Sequence, residues 1–394
     1  MSHTPAVGFS FSQALAAQTA KPVSKPTPVV EAVEPSHKTQ LAADNWQRGE
    51  LQLRCVEKWN ETHDVVSFRF QGLKPVKFNF KPGQFITFKL DIHGDTVYRS
   101  YTISSSPSRP FSLMVTIKKI AGGLVSNYLT ESLTVGDEVT VTGPDGIFNL
   151  VDITADKYLF LSAGCGVTPM YSMSRWLCDT TTDSDIAFVH SAKSVDDVIF
   201  ANPMASMAAR RAQFSLNYVL ESDENCHRLT DMYANTAYAS GRLSLESLIK
   251  LVPDYQQRTV FVCGPEPYMA AVKLLLQAAE FDMSQYHQES FGGNRADSAD
   301  ATTDTHSSAE SFMLSIGDKQ IPLTSEQTLL DGIESEKLPI IAACRAGVCG
   351  ACKCQVVSGT VKSSSQMALT ADEIAAGFVL ACSTKITSNV QLSM

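Results

Sequence analysis

The chain has 394 residues, and its 32 Lys and Arg against 41 Asp and Glu give a formal charge of −9. This length predicts two or three domains, and a hydrophobic fraction of 44% is typical of globular proteins. The acidic balance argues against a nucleic-acid partner, which would favour a basic face. No apolar run approaches the roughly 18 residues that span a bilayer, so no membrane span is expected. The ten cysteines are the feature left to explain.

Residues 1–48 form the first segment, and they contain five of the 17 prolines without a helical or strand period. Such a stretch buries too little surface to offset its ordering entropy, so we predict a disordered N-terminal tail. The tail is either a spacer or a partner-binding segment. No Lys or Arg precedes Lys21 and there is no sustained apolar core, which does not fit a secretory signal. The cytoplasm is therefore the expected compartment.

Short alternating runs follow across residues 49–152. Leu51–Val56, Val65–Phe70 and Gln84–Leu90 alternate apolar and polar residues, and Gly and Pro residues punctuate the gaps between such runs. Several short strands separated by turns within about 100 residues predict an antiparallel β-barrel or sandwich, and we expect a barrel here.

Two motifs in the barrel segment suit a bound flavin nucleotide. In the first, an Arg can pair with pyrophosphate, a Tyr can stack on the ring and a Thr can hydrogen-bond to its edge. This motif consists of Arg99, Ser100, Tyr101 and Thr102. In the second, Gly122 and Gly123 lead through Ser126 into a predicted helix, whose first backbone N–H groups favour phosphate. Each motif taken alone also fits an ordinary strand or turn.

Residues 153–293 alternate buried strands with helix-length segments, which predicts an α/β domain with a parallel sheet. The loop that contains Gly164, Gly166 and Thr168 lies between a strand and a helix, where a dinucleotide phosphate binds in open α/β sheets. A second loop, of Cys263, Gly264 and Pro265, follows another buried strand. Either loop alone could be only a tight turn.

Residues 294–310 lack large apolar side chains and predict a flexible linker, and residues 311–394 form a small cysteine-bearing module. Its C-x4-C-x2-C spacing with one distant Cys is that of a plant-type 2Fe–2S cluster. The predicted iron ligands are Cys344, Cys349, Cys352 and Cys382. A structural zinc site would usually show two C-x2-C pairs, and free or disulfide cysteines are the third alternative. Cys354 is surplus, and we expect a partly buried thiol that binds no metal.

The motifs and their order closely resemble the ferredoxin–NADP+ reductase superfamily over residues 50–394. The C-terminal module resembles plant-type ferredoxins, which implies a β-grasp fold of the α+β class. The resemblance implies that the barrel motifs hold FAD and that the two α/β loops line the nicotinamide nucleotide. It also implies that Glu289 and Phe291 approach the flavin ring. The residues expected to be catalytic are Tyr101, Thr102, Cys263, Glu289 and Phe291.

Within that superfamily the chain is similar to NADH oxidoreductases that reduce hybrid cluster protein. The similarity rests on Asp197–Ala201, Ala342–Gly350 and Gly377–Cys382. Two departures are the displacement of a local cysteine to Cys354 and the added N-terminal tail. The resemblance implies an enzyme in which electrons pass from NADH through FAD and the 2Fe–2S cluster to hybrid cluster protein.

Two alternatives to this function stay open. One keeps the cofactors but delivers electrons to a Rieske-type oxygenase, for instance one that demethylates a small amine. The other is a non-catalytic redox sensor or binding module. NADH is expected rather than NADPH, because Asp196 and Asp197 lie where a 2′-phosphate would be bound. The scattered histidines, His190 among them, are expected to be surface or structural residues.

Overall fold

The computed structural model describes residues 43–181, 183–222, 224, 228, 236–291, 311–336, 338–340, 342, 347, 350–366 and 369–394. Nearly all of the predicted tail, the whole predicted linker and the predicted ligands Cys344 and Cys349 lie outside the described residues. The last residues of the predicted tail are described. They include a short strand, Asp44–Trp46, that pairs in parallel with Val76–Phe78 and buries Trp46.

The first domain is built around a six-stranded antiparallel sheet in the order β6-β5-β8-β2-β3-β7. Its strands, together with the two-stranded pair β1 and β4, are β1 Asp44–Trp46, β2 Gly49–Asn60, β3 Val65–Gly72, β4 Val76–Phe78, β5 Phe85–Ile92, β6 Asp95–Thr102, β7 Leu113–Lys118 and β8 Glu138–Asp145. A short helix, α1, spans Leu124–Asn127 and continues as a wider π-helical turn, Tyr128–Ser132.

The two faces of this sheet have different neighbours. Phe68, Phe70 and Phe88 fill the interior of the barrel, where the rings of Phe70 and Phe88 lie 5.7 Å apart. On the opposite face, Val65 and Met114 belong to the core of the second domain. Because side chains alternate along a strand, the same strands close the barrel and form the boundary with the next domain.

The second domain contains a six-stranded parallel sheet in the order β12-β11-β10-β9-β13-β14. Its strands are β9 Lys157–Ala163, β10 Asp185–Ala192, β11 Phe214–Leu220, β12 Thr236–Ser240, β13 Thr259–Cys263 and β14 Tyr286–Glu289. Its helices are α2 Val167–Thr180, α3 Ala201–Ala208, α4 Leu245–Leu251 and α5 Glu266–Ala278. Short 3₁₀ turns span Gly164–Gly166, Val195–Asp197, Tyr255–Gln257 and Met283–Gln285.

Separate apolar clusters cover the two faces of the parallel sheet. Phe160, Phe188 and Phe261 face α2 and α3, and Leu159 and Val189 face α4 and α5. Strands covered on both sides must be apolar along their whole length. This burial explains the continuous apolar runs in the sequence of β9, β10 and β13.

A buried arginine forms hydrogen bonds to several segments at the edge of the sheet where the parallel strands begin. Arg258 donates from Nε and Nη2 to the two carboxylate oxygens of Asp254, at 2.8 and 3.0 Å. Its Nη1 donates to Asp185 Oδ1 at 2.8 Å and to the Tyr158 carbonyl oxygen at 3.2 Å. One side chain therefore joins β9, β10 and the segment that precedes β13.

The C-terminal module has a mixed five-stranded sheet, ordered β16-β15-β21-β17-β19, and a separate β18–β20 pair. Its strands are β15 Ser311–Ile316, β16 Lys319–Thr324, β17 Lys353–Ser358, β18 Val361–Ser363, β19 Phe378–Leu380, β20 Thr384–Ile386 and β21 Val390–Ser393. Its helices are α6 Leu329–Ser335 and α7 Ala371–Ala375, and a 3₁₀ turn spans Ala381–Ser383. The three predicted fold types, antiparallel barrel, parallel α/β and α+β, are confirmed. Within the part of the chain described, no helix is long and apolar enough to cross a membrane.

Candidate functional site

The Arg-Ser-Tyr-Thr motif forms the end of β6, antiparallel to β5. The Tyr101 ring packs edge-on against Phe88, with 5.8 Å between ring centroids, and the Ser100 and Thr87 hydroxyl oxygens lie 2.8 Å apart. Thr102 is 5% exposed, and its Oγ1 has no hydrogen-bond partner among the described residues. A buried hydroxyl without a partner costs about 1–3 kcal/mol, so this atom fits a site where a ligand supplies one.

The predicted phosphate loop precedes α1. Gly122 has a φ of 75°, in the left-handed region that favours glycine. A Cβ at Gly123 would lie 2.6 Å from Ser126 Oγ, so a side chain at this position would collide with that hydroxyl. Ser126 Oγ accepts a hydrogen bond from the Ile120 backbone N–H at 3.3 Å. The Ser126 hydroxyl therefore closes the loop, and its own proton stays available for donation.

The two glycine loops of the α/β domain touch each other. A Cβ at Gly166 would lie 2.0 Å from the Cys263 carbonyl oxygen, so only glycine fits at this contact. Gly264 packs against Tyr268 and Ala163, and Pro265 precedes the first residue of α5. Thr168 Oγ1 donates to the Cys165 carbonyl oxygen at 2.9 Å and holds the first loop in its turn.

The barrel motif and the α/β loops meet at one place. The pKa of Tyr101 is raised, chiefly by burial, and the nearby Cys165 adds to the rise while Arg99 opposes it. Burial raises the pKa of Cys165 to about 12 and that of Cys263 well above its ordinary value, with further increases from Glu289 and Cys165 at Cys263. Because groups that shift one another's pKa lie close together, these shifts place Tyr101, Cys165, Cys263 and Glu289 near one another. Since both cysteine pKa values are raised far above 7, both thiols are protonated at neutral pH.

A row of polar side chains crosses the sheet next to this place. Strand register aligns five residues on neighbouring strands, from β11 to β14: Tyr218, His190, Ser162, Cys263 and Glu289. All five are at most 9% exposed. Phe291, which follows Glu289, is 39% exposed at the end of a described range. The predicted Cys263 and Glu289 are thus brought side by side.

Ser162 and His190 are members of this row that the sequence did not identify as site residues. His190 is a buried residue, and its Nδ1 lies 2.8 Å from Ser162 Oγ. Burial lowers its pKa to about 4, so the imidazole is neutral at pH 7. The only available signal was position, because each residue ends a buried strand at the edge where α/β sheets bind ligands.

Two of the four predicted iron ligands are described. The Gly347 N–H donates to Cys382 Sγ at 3.2 Å, and the Cys382 N–H donates to Cys352 Sγ at 3.4 Å. Backbone donors to sulfur are typical of iron–sulfur sites, where they tune the potential. The described residues contain no group of three or more metal-binding side chains, and the other two predicted ligands lie outside them. Cys354 is 2% exposed, and burial raises its pKa to about 12.

Three protein-family models match successive parts of the chain. An oxidoreductase FAD-binding domain matches residues 52–150, an oxidoreductase NAD-binding domain matches residues 160–274, and a 2Fe–2S iron–sulfur cluster binding domain matches residues 316–387. The cofactor predictions of FAD, a nicotinamide nucleotide and a 2Fe–2S cluster are thereby confirmed. The match to a 2Fe–2S domain also argues against a structural zinc site as the explanation of the cysteine spacing.

Three individual proteins illustrate the likeness. The glycine betaine monooxygenase reductase subunit of Pseudomonas aeruginosa (strain UCBPP-PA14) is 40% identical over 87% of this chain and 94% of its own length. The NADH oxidoreductase HCR of Escherichia coli (strain K12) is 34% identical over 78% of this chain and 86% of its own length. The phthalate dioxygenase reductase structure shares the fold, with a TM-score of 0.54 at 19% identity over 88% of this chain and 98% of that one.

The fold and the site define an oxidoreductase with three modules, for FAD, for a nicotinamide nucleotide and for a 2Fe–2S cluster. The chain belongs to the ferredoxin–NADP+ reductase superfamily, in the group of reductases with a C-terminal ferredoxin domain. The prediction of an enzyme is confirmed, and the alternative of a non-catalytic binding module is set aside.

Proposed function

We propose that this chain is the reductase component of an oxygenase that acts on a small methylated amine such as glycine betaine. The observation that carries the proposal is the 40% identity to a glycine betaine monooxygenase reductase subunit across 94% of that protein. Hybrid cluster protein, the acceptor expected from sequence motifs, becomes the second candidate. It is supported by 34% identity to the E. coli enzyme and by the motif Gly377–Cys382.

FAD is proposed to bind along β6 and the loop before α1. The supporting observations are the buried Thr102 hydroxyl, which has no partner among the described residues, and the glycine loop, in which a Cβ at Gly123 would displace the Ser126 hydroxyl. In this proposal Tyr101 and Thr102 contact the flavin ring, while Arg99 and Ser126 face its phosphates. The residues assigned to FAD are Arg99, Ser100, Tyr101, Thr102, Gly122, Gly123 and Ser126.

The nicotinamide nucleotide is proposed to bind where the two α/β loops touch. The close approach of Gly166 to Cys263 forms a surface of backbone atoms, which a nucleotide can approach closely. Glu289 and Phe291 are proposed to complete this side of the site. The residues assigned to the nucleotide are Gly164, Gly166, Thr168, Cys263, Gly264 and Pro265.

NADH is proposed as the preferred reductant. Asp196 Oδ1 accepts from Arg228 at 2.9 Å, and Asp197 Oδ2 accepts from Ser194 Oγ at 2.6 Å. Asp196 is thus paired with an arginine, so the proposal is supported mainly by the carboxylate of Asp197 near the end of β10, which disfavours the 2′-phosphate of NADPH. A better specificity constant with NADPH would contradict this assignment.

Each cofactor supplies a defined chemistry when bound: the nicotinamide provides a hydride, FAD accepts two electrons and releases them singly, and the 2Fe–2S cluster accepts one at a time. The work of the protein is to bind and orient them. Cys344, Cys349, Cys352 and Cys382 are proposed as the cluster ligands. The N–H donors to Cys352 and Cys382 would stabilise thiolates there.

The cytoplasm remains the compartment that we propose for this protein.

The acceptor decides between the two candidates. NADH oxidation by the purified holoenzyme should become dependent on glycine betaine when the oxygenase component of a glycine betaine monooxygenase is added. We expect this rate to exceed the anaerobic rate with hybrid cluster protein by about tenfold, or ~1.4 kcal/mol in activation free energy. Cytochrome c reduction serves as the control for an intact electron path. Fast turnover with hybrid cluster protein and none with the oxygenase would overturn the proposal.

A further inference from the structure

A continuous chain of hydrogen bonds runs along the barrel face that meets the α/β domain. Glu61 Oε1 accepts from Ser67 Oγ at 2.7 Å, and Ser67 Oγ lies 2.8 Å from Thr116 Oγ1. Thr116 Oγ1 lies 3.1 Å from Ser104 Oγ, which also donates to the Met114 carbonyl oxygen at 3.1 Å. The chain thus links three hydroxyl groups between a carboxylate and a backbone carbonyl.

This hydroxyl chain is sealed from solvent except at Glu61. Ser67 and Ser104 are fully buried and Thr116 is 4% exposed, whereas Glu61 is half-buried. The second domain supplies the cover, because Ser172 Oγ on α2 donates to the Ser105 carbonyl oxygen at 2.6 Å. The hydrogen-bonded hydroxyl groups are therefore buried, and only the Glu61 end of the network is near solvent.

Counting protons shows that the chain can take up one more. Each hydroxyl has one proton to donate and lone pairs to accept. With Glu61 ionised, three protons serve four oxygen-to-oxygen contacts, so one contact always lacks a proton. A fourth proton, carried on Glu61, fills every contact. Apart from that proton, the two states differ in the direction in which the hydroxyl groups point, and neither requires a heavy atom to move.

The buried end of the chain lies beside the proposed FAD site. Ile103 faces the barrel interior, so its neighbours Thr102 and Ser104 both face the α/β domain. Alternate residues of an extended strand have Cα atoms about 6–7 Å apart, so a proton from Thr102 would reach Ser104 through water between the two side chains. The Thr102 hydroxyl is one of the buried polar groups that have no hydrogen-bond partner among the described residues.

The reaction leaves a proton to be removed at this place. NADH oxidation yields NAD+, two electrons and one proton, and an iron–sulfur cluster takes only the electrons. We propose that Ser104, Thr116, Ser67 and Glu61 form a proton relay from the FAD site to solvent; this inference rests on the proposed position of FAD at Thr102. The incoming proton binds Ser104 Oγ, and each hydroxyl passes its own proton to the next oxygen until Glu61 is protonated. Glu61 then releases the proton to water, and the three hydroxyl groups rotate back.

The outer end is held in place by neighbouring groups. Trp59 Nε1 donates to Glu61 Oε1 at 2.7 Å, so the carboxylate is fixed at the end of the chain. Lys118 and Asp64 form an ion pair at 2.9 Å in the same region, and both influence the pKa of Cys165, as Glu61 does.

The central test replaces the middle oxygen by Thr116→Val, which nearly preserves shape. Proton release is followed with a pH indicator in weakly buffered solution during a single NADH oxidation by the holoenzyme. We expect it to slow roughly tenfold or more, with a larger solvent deuterium isotope effect and unchanged FAD content. Thr259→Val is the matched control, because Thr259 is a buried threonine whose hydroxyl donates to Gln285 at 2.8 Å on another sheet edge. Proton release by Thr116→Val within twofold of the wild-type rate would overturn the relay.

A second measurement follows the protonation of Glu61 directly instead of the reaction rate. Rapid-scan infrared difference spectra of the wild-type holoenzyme should show a transient protonated-carboxyl band during NADH oxidation, and Glu61→Gln should abolish it. If Thr116→Val does not fold, Ser67→Ala tests the same step. A missing carboxyl band in a wild-type enzyme with full FAD overturns the relay and leaves the FAD site standing. Full FAD retention by Tyr101→Ala, in contrast, argues against the proposed FAD site itself.

Discussion

At the scale of single residues, the site is organised by burial more than by charge. His190, Cys165 and Cys263 all have pKa values displaced toward their neutral forms, and burial is the main cause in each case. Residue types such as these are visible in the sequence, whereas their burial depends on contacts with distant segments.

The neutral His190 makes stability depend on pH. Its pKa is about 4 in the folded protein and 6.5 in the unfolded chain, so the unfolded chain binds the extra proton first. Stability is therefore lost as the pH falls from about 6.5 toward 4, by about 3 kcal/mol in total. His190→Gln should lower stability at pH 7 but flatten this part of the profile. Urea unfolding of both proteins at several pH values measures it, and parallel profiles would contradict the prediction.

At the scale of elements, strand pairing brings together residues of the candidate site that are far apart in the sequence. The alternating runs predicted the barrel strands, and the apolar runs β9, β10 and β13 predicted a parallel sheet. The contact between Gly166 and Cys263 could not be predicted in detail, because it depends on how a loop after β9 packs on the end of β13. The hydrogen-bonded hydroxyl network could not be predicted either, because its Ser and Thr residues lie on separate strands and form no local sequence pattern.

The Arg258 cluster is the element-scale feature with the clearest energetic consequence. Arg258→Met leaves Asp254 and Asp185 without their main partner at the beginning of the parallel strands. Both carboxylates are partly exposed, so we expect a loss of roughly 2–4 kcal/mol in unfolding free energy rather than more. Arg54→Ala is the control, because its pair with Glu138 is half-exposed on both sides, and should cost less than about 1 kcal/mol. Equal losses in denaturant titrations would contradict this view.

At the scale of the whole molecule, the enzyme is divided into a two-electron part and a one-electron part. The barrel has an apolar core inside it, and Val65 and Met114 on its other face join a core of the α/β domain. The ferredoxin module has a core of its own, in which the predicted ligand Cys352 immediately precedes β17 and the predicted ligand Cys382 follows β19. The sequence predicted this division well, because cysteine spacing and glycine loops are local patterns. It did not identify the acceptor, since docking surfaces have no such pattern.

Cys349→Ala should separate the two parts. Without one predicted ligand the cluster should be lost, so cytochrome c reduction should fall at least about tenfold while NADH–ferricyanide activity is kept. Cys354→Ala is the matched control and should retain both activities. Full activity of Cys349→Ala with the physiological acceptor would place the cluster off the electron path.

Tyr101→Ala should instead depress both activities together. The ring packs against Phe88 and lies at the proposed FAD site, so its removal should weaken FAD binding by about 2–3 kcal/mol. Bound FAD is measured from the absorbance of the purified protein and its release on dilution. Phe88→Leu is the control, because it removes the ring that packs against Tyr101 but keeps the Tyr101 ring that is proposed to contact FAD. A much smaller loss of FAD in this variant would show that the Tyr101 ring itself matters.

The protonated thiols at the junction of the two domains bear on the survival of the enzyme in air. Reduced flavins leak electrons to dioxygen and generate peroxide, which attacks thiolates and spares thiols. With a pKa of about 12, Cys165 is a thiolate in only about one molecule in 10⁵ at pH 7. Cys263, with its pKa also raised, is protected in the same way. We therefore expect burial to keep both cysteines reduced during turnover if FAD binds at the proposed site.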